Sequence, residues 1–191
     1  FRMIGRWEND DGLGRKNHAW TVMLFQLELS QTIRPIDQIE SVLNRDKKVA
    51  TYKLALIRAL CDIAMTNFQL AEWRGGGKIA IPLEAISEKW LFYYWPLFES
   101  EKFLPQIQGE SEACTKPIAF RKLMKELIVS YRASGGFTRF TMDYRSSSLK
   151  SHQSLIISQI LKKIGATIVS GPVTYAGGSL ESGRNFEYDI R

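Results

Sequence analysis

The chain has 191 residues, 45% of them hydrophobic and 24% charged, which suits one domain of upper-middle size and excludes a disordered polymer. No apolar run reaches the roughly 18 residues that span a bilayer, and nothing in the sequence reads as a signal peptide. The net charge of +6 is unevenly spread: residues 1–115 hold 14 Lys/Arg against 15 Asp/Glu, whereas residues 116–191 hold 12 against 5. That asymmetry points to a polyanionic partner, nucleic acid ahead of membrane, with an unevenly solvated surface as the bland alternative.

Residues 1–14 read as an irregular lead-in, and residues 15–33 as a helix burying Trp20, Leu24, Leu27 and Phe25. Arg34-Pro35 ends that helix, and Pro35 suits the first turn of the next, 35–44, with Ile36, Ile39, Val42 and Leu43 inward. A charged joint, 45–48, leads into 50–68, the longest helical pattern free of Gly and Pro. Leu54, Ile57, Cys61, Ala64 and Phe68 recur at three- and four-residue steps, and Leu56, Leu60 and Ile63 widen the stripe. A helix so apolar belongs at the centre of a domain. Its polar strip is Thr51, Arg58 and Asp62, with Lys53 beside its start; it is either solvated surface or a docking edge. Arg58 and Asp62 are spaced to pair.

The triple glycine 75–77 is a turn rather than a phosphate loop: Lys78 is followed by Ile79, not Ser or Thr, and a helix precedes it. Residues 78–81 read as a short extended link. Helix 82–99 starts on Pro82, carries five aromatics within Trp90–Trp95, and is bent or ended by Pro96. Those aromatics cannot share one face, so part of the set either packs the core or lines a stacking surface. After an acidic loop, 101–116, helix 117–131 turns Ile118, Leu123, Leu127 and Ile128 inward and Arg121, Lys122 and Lys125 outward. That outer side is the best cationic surface in the chain. Residues 133–150 form a basic loop with room for one short helix. Helix 152–164 buries Leu155, Ile156, Ile160, Leu161 and Ile164 and stops at Gly165. Residues 167–175 and 185–190 read as a hairpin about a Gly-rich turn.

Chemistry of catalytic type is scarce. The two histidines, His18 and His152, stand far apart in sequence, the two cysteines form no CxxC pair, and the acids make no DxD group. The expectation is therefore no catalytic residue, no metal and no cofactor in this chain, in a reducing cytoplasm. Cys61 is expected in the core.

The blocks RPIDQIESVLNRDKKVATYKLALIRALCDIA (34–64), IPLEAISEKWLFYYWPLFE (81–99), PQIQGE and KPIAFRKLMKELI (105–128) and TIVSGPVTYAGG (167–178) resemble, in order, the N-terminal helical region of bacterial HNH endonuclease domain proteins. The resemblance implies a DNA-targeting or autoinhibitory module ahead of a nuclease domain. The HNH motif itself is absent from these residues, so a divalent metal is expected only if such a domain follows Arg191. TYKLAL (51–56) and YYWP (93–96) are similar to the central helix and aromatic cup of modules that read phosphorothioate or otherwise modified DNA.

Together these readings predict a mainly α domain of about six helices around a central buried helix, 50–68, closed by a C-terminal β-hairpin. A lead-in and helix (1–33), a helical core (34–165) and the hairpin (166–191) form one domain. Lys53, Arg121, Lys122, Lys125 and Arg139 are the expected DNA phosphate contacts, and Tyr52, Tyr94 and Trp95 the expected recognition surface. The alternative is a helical protein-interaction or oligomerisation module, and a homo-oligomer stays open under both.

Overall fold

The computed structural model describes residues 2–9, 20–26, 36–37, 40, 50–74, 78–113 and 116–173. Among them are five α-helices: α1 (Tyr52–Thr66), α2 (Leu83–Glu99), α3 (Arg121–Arg132), α4 (Gly136–Arg145) and α5 (Ser151–Ile168). Four strands join them: β1 (Arg2–Asn9), β2 (Trp20–Gln26), β3 (Glu72–Trp73) and β4 (Lys78–Pro82). The strands form one antiparallel sheet in the order β1-β2-β4-β3. The mainly helical reading holds.

The centre of the molecule is α2, not 50–68. Its buried residues fall on two adjacent stripes, Ile86-Trp90-Tyr94-Phe98 and Ser87-Leu91-Trp95. A helix with so wide a buried arc needs cover from several sides, and α1, α3, α5, β2 and β4 all contact it. The expectation for α1 is corrected accordingly. Leu54 is 50% exposed, and Cys61, Ala64 and Phe68 are exposed too; Leu56, Ala59 and Ile63 face inward instead. On a helix apolar nearly all round, spacing does not choose the inner face; the neighbour does.

The polar strip of α1 meets α2 at Tyr93. The Tyr93 hydroxyl donates to Asp62, the Arg58 guanidinium lies 4.3 Å over the Tyr93 ring, and Arg58 pairs with Asp62 at 4.0 Å. Burial first, then the Asp62 carboxylate accepting its proton, pushes the Tyr93 phenol up. The strip thus docks on Tyr93 of α2 while staying in contact with solvent, the Arg58 side chain 67% and that of Asp62 39% exposed.

Four further elements depart from the sequence reading. Residues 2–9, read as part of an irregular lead-in, form strand β1, paired antiparallel with β2. Residues 20–26 are strand, not helix: a short apolar run rich in β-branched and aromatic residues fits both periods, and pairing with β1 and β4 decides it. Gly165 does not stop α5. It is buried where α5 crosses α2, and a Cβ there would meet Leu83 Cδ2 and Ser87 Oγ at 3.4 Å. Thr167 and Ile168 complete α5, and Val169–Val173 continues as a π-helical turn, so the first part of the expected hairpin is helical. Residues 174–175 and 185–190 lie outside the described residues. So does most of the expected 35–44 helix, of which Ile36, Asp37 and Glu40 are described as helical.

Within α2, Pro96 sits one turn from the end; the helix continues to Glu99 because few backbone bonds remain to be lost. The short helix expected within 133–150 is α4. Gly135 (φ 113°) and Gly136 (φ 57°) both take left-handed backbone conformations and fold α4 back on α3. That turn seats Phe140 against Trp95, ring centroids 4.3 Å apart and nearly parallel.

Placing α2 at the centre has a measurable consequence. Trp95→Ala should lower unfolding free energy by about 3–5 kcal/mol, whereas Leu54→Ala should cost no more than about 0.5 kcal/mol. Urea midpoints of the two variants check this; equal losses would return the centre to α1.

Candidate functional site

Two polar features stand out in this fold: a buried network and an exposed field of cations. The network begins at Arg121, first residue of α3. Its Nε donates to Glu110 Oε1 at 2.6 Å and an Nη to Glu110 Oε2 at 2.8 Å, while the same Nη reaches the Leu104 carbonyl at 2.8 Å. Glu110 also accepts from the backbone N–H of Gln106 and Ile118. The Glu110 side chain is 0% exposed and that of Arg121 7%. The guanidinium lies over the Phe98 ring at 4.1 Å and the Phe103 ring at 4.6 Å. Burial alone would raise the Glu110 carboxyl; its hydrogen bonds from Arg121, Gln106 and Ile118 outweigh that and hold it below the usual carboxylate range.

From Glu110 the network runs to the start of α1. The Thr51 N–H donates to the Gln106 carbonyl at 2.9 Å, and the Thr51 hydroxyl donates to Gln106 Oε1 at 3.0 Å. With that proton committed, the Tyr94 hydroxyl is the donor in its 2.8 Å contact with Thr51 Oγ1. Burial above all keeps the Tyr94 and Tyr52 phenols protonated. These bonds fasten the 100–120 loop to the starts of α1 and α3.

The expectation that Arg121 lies outward is therefore corrected: it is an internal anchor, because the apolar stripe Arg121-Met124-Ile128-Tyr131 includes its position. Tyr94 and Trp95 are likewise corrected from recognition surface to core, at 1% and 0% exposure. Tyr52 is half-buried, its ring 5.6 Å from Trp90. Lys122 and Lys125 do lie exposed on α3. Arg139 is exposed on α4 but paired within its own helix to Asp143 at 2.9 Å. Lys53 is half-buried at the first turn of α1, on a different helix from the other four.

The cation field is wider than those residues. Residues 116–173 carry ten Lys/Arg against two acids, Glu126 and Asp143. Of the ten only Arg121 is buried; Lys116, Lys122, Lys125, Arg132, Arg139, Arg145, Lys150, Lys162 and Lys163 are all exposed. On α3, Lys122, Lys125, Glu126, Val129 and Arg132 share the outer stripe. α5 has no Asp or Glu along its whole length. Lys162 and Lys163 escaped sequence reasoning as contacts because lysines near a helix C-terminus are explained by the macrodipole.

Among the described residues no group of three or more His, Cys, Asp and Glu is placed to hold a metal ion. No described helix is long and apolar enough to cross a membrane.

Residues 32–191 match the family model described as "Domain of unknown function (DUF8808)", so the chain belongs to that family. No curated protein and no solved structure matches it. β1 and β2 precede the matched span, whereas the whole network and cation field lie within it.

The buried pair gives a pH-dependent prediction. Glu110 has a folded pKa below its unfolded value, so its contribution is present above the unfolded carboxylate pKa of about 4.3 and is lost as pH falls through the folded one. Arg121→Ala should cost about 3–5 kcal/mol by stranding a buried carboxylate. It should also remove or reverse that acid-side loss, since protonating Glu110 then relieves the stranded charge. Thermal melts of both proteins from neutral pH to pH 3 measure it; parallel profiles would mean that the pair is not coupled to folding.

Proposed function

We propose that this protein is a nucleic-acid-binding module that docks duplex DNA through the exposed cations of α3, α4 and α5. The observation that carries the reading is the surplus within residues 116–173, nine exposed Lys/Arg against two acids, with Glu99 and Glu101 of the preceding segment beside Lys125 and Arg132. Cations so placed neutralise phosphates and release counterions, so affinity falls steeply with salt. Lys122 and Lys125 are the best supported of the expected contacts, because both are exposed on one stripe. Arg121 drops out of the contact set; Arg139 stays as a weaker contributor beside Asp143. On the resemblance to the region ahead of an HNH nuclease, such a module would serve target recognition for a bacterial restriction or defence enzyme.

A second reading, a protein-interaction or oligomerisation module, is favoured by a different surface. Met65, Phe68 and Trp73, between the end of α1 and β3, are 82%, 58% and 66% exposed. Large apolar groups clustered in one short stretch are typical of a protein contact.

The two readings separate in one set of measurements. The purified chain should be retained on duplex DNA at about 0.15 M salt, where surface charges are already screened beyond about 8 Å. Lys122→Glu with Lys125→Glu should weaken binding on every sequence and lower the slope of log affinity against log salt by about 2. Unchanged titration curves for the double variant would remove α3 from the contact. A wild-type chain that passes through a DNA column yet sediments as a dimer, reverting to monomer on Trp73→Ser, would favour the second reading.

A further inference from the structure

Resting on the duplex-binding reading above, we propose that the outer stripe of α5 is the element that enters the DNA major groove and reads base edges, with α3 confined to phosphates. The stripe is His152, Leu155, Gln159, Lys162, Lys163 and Ala166, all exposed. These positions recur at three-, four- and seven-residue steps and share one side of the helix. The opposite side, Ile156, Ile157, Ile160, Ile164 and Ile168, is buried. α5 therefore presents a single outward face whose orientation is fixed by the core.

The chemistry of that face suits a groove. No carboxylate stands anywhere on α5, so no group on it repels phosphates. The α3 stripe, in contrast, has Glu126 between Lys125 and Val129. At 18 residues the helix is about 27 Å long and, with side chains, about 10–12 Å across. The B-form major groove is about 12 Å wide. Gln can pair with adenine N6 and N7 and Lys with guanine O6 and N7, and an apolar side chain can meet the thymine methyl. Leu155, 60% exposed and the one large apolar side chain on the stripe, supplies the apolar contact and has no evident use in the core. The major groove of A-form RNA is too deep and narrow for such a helix, so the occupant is B-form DNA.

The test selects binding sites for the full chain from a randomised duplex pool. It then titrates wild type, Leu155→Ala/Gln159→Ala and Lys162→Glu/Lys163→Glu against the selected duplex, a scrambled duplex and an RNA duplex of the selected sequence. All four positions are exposed, and thermal melts followed by circular dichroism verify that the variants fold. Wild type should enrich a motif and prefer it to the scrambled duplex by roughly tenfold or more, with the RNA duplex weaker by a similar factor. Leu155→Ala/Gln159→Ala should lose that preference while keeping its affinity for the scrambled duplex and its salt slope. Lys162→Glu/Lys163→Glu should weaken binding to both DNA duplexes. No enriched motif, a motif retained by Leu155→Ala/Gln159→Ala, or equal binding of RNA would overturn the α5 assignment while the duplex-binding reading stands. Absence of binding to any nucleic acid would overturn both.

Discussion

The Glu110–Arg121 pair is the contact on which the arrangement of the helices depends. The loop between α2 and α3 spans some twenty residues, includes Pro105 and Gly109, and has no regular backbone ladder of its own. Its polar hold on the body centres on one carboxylate that accepts from two backbone N–H groups and from the Arg121 fork, beside the Thr51–Gln106 bonds and the burial of Ile118 and Phe120. Two charges in an apolar setting are costly, and only a full set of hydrogen bonds offsets that cost. Here the set is complete on the carboxylate side, and the guanidinium plane is covered by Phe98 and Phe103. The first turn of α3 is thereby fixed to α2, and through Gln106 and Thr51 so is the first turn of α1.

With α3 anchored at its first residue, the rest of the cation field follows from packing. Trp95 and Tyr131 meet edge-on at 6.0 Å, and Phe140 stacks on Trp95. Such pairs add to the burial that already favours these rings. The cluster also bears a penalty: the indole N–H groups of Trp90 and Trp95 are buried with no hydrogen-bond partner among the described residues, at about 1–3 kcal/mol each. Aromatic burial must outweigh it. Once α3 and α4 present Tyr131 and Phe140 to Trp95, their lysines and arginines have only the outside left, Arg121 excepted.

How much of this the sequence carried depends on whether a local signal had a single reading. α3 and α5 were largely legible because each has one apolar arc and a polar remainder, although Leu155, read as buried, is 60% exposed; α2 was legible as a helix but not in its inner side, because the aromatics of Trp90–Trp95 share no single face. α1 was legible as a helix but not in orientation, because Leu54, Leu56, Cys61 and Ile63 leave no clear polar face. β2 failed for a similar reason: Trp20, Leu24 and Phe25 satisfy a helical step, while the paired neighbours that make the run a strand are remote in sequence. Arg121 failed by residue type. Its phase on α3 pointed inward with Met124 and Ile128, but an arginine is assumed to face water unless its carboxylate is known, and Glu110 lies in a loop with no period. Of the expected site, the cation surplus was visible in composition; which cations reach solvent required the fold.

The distribution of charge also bears on which face a polyanion would favour. At physiological salt a charge is felt over about 8 Å, little more than one helical turn, so cations on different helices act almost independently and the local stripe decides. On α3 the field of Lys122 and Lys125 is partly cancelled by Glu126, and on α4 that of Arg139 by Asp143. On α5 nothing on the helix cancels Lys162 and Lys163, and the neighbouring outward positions Leu155, Gln159 and Ala166 are uncharged. Equal numbers of lysines thus give unequal attraction. The helix that sequence reasoning passed over, because its lysines sit where any helix tolerates them, offers an approaching phosphate chain the least opposition.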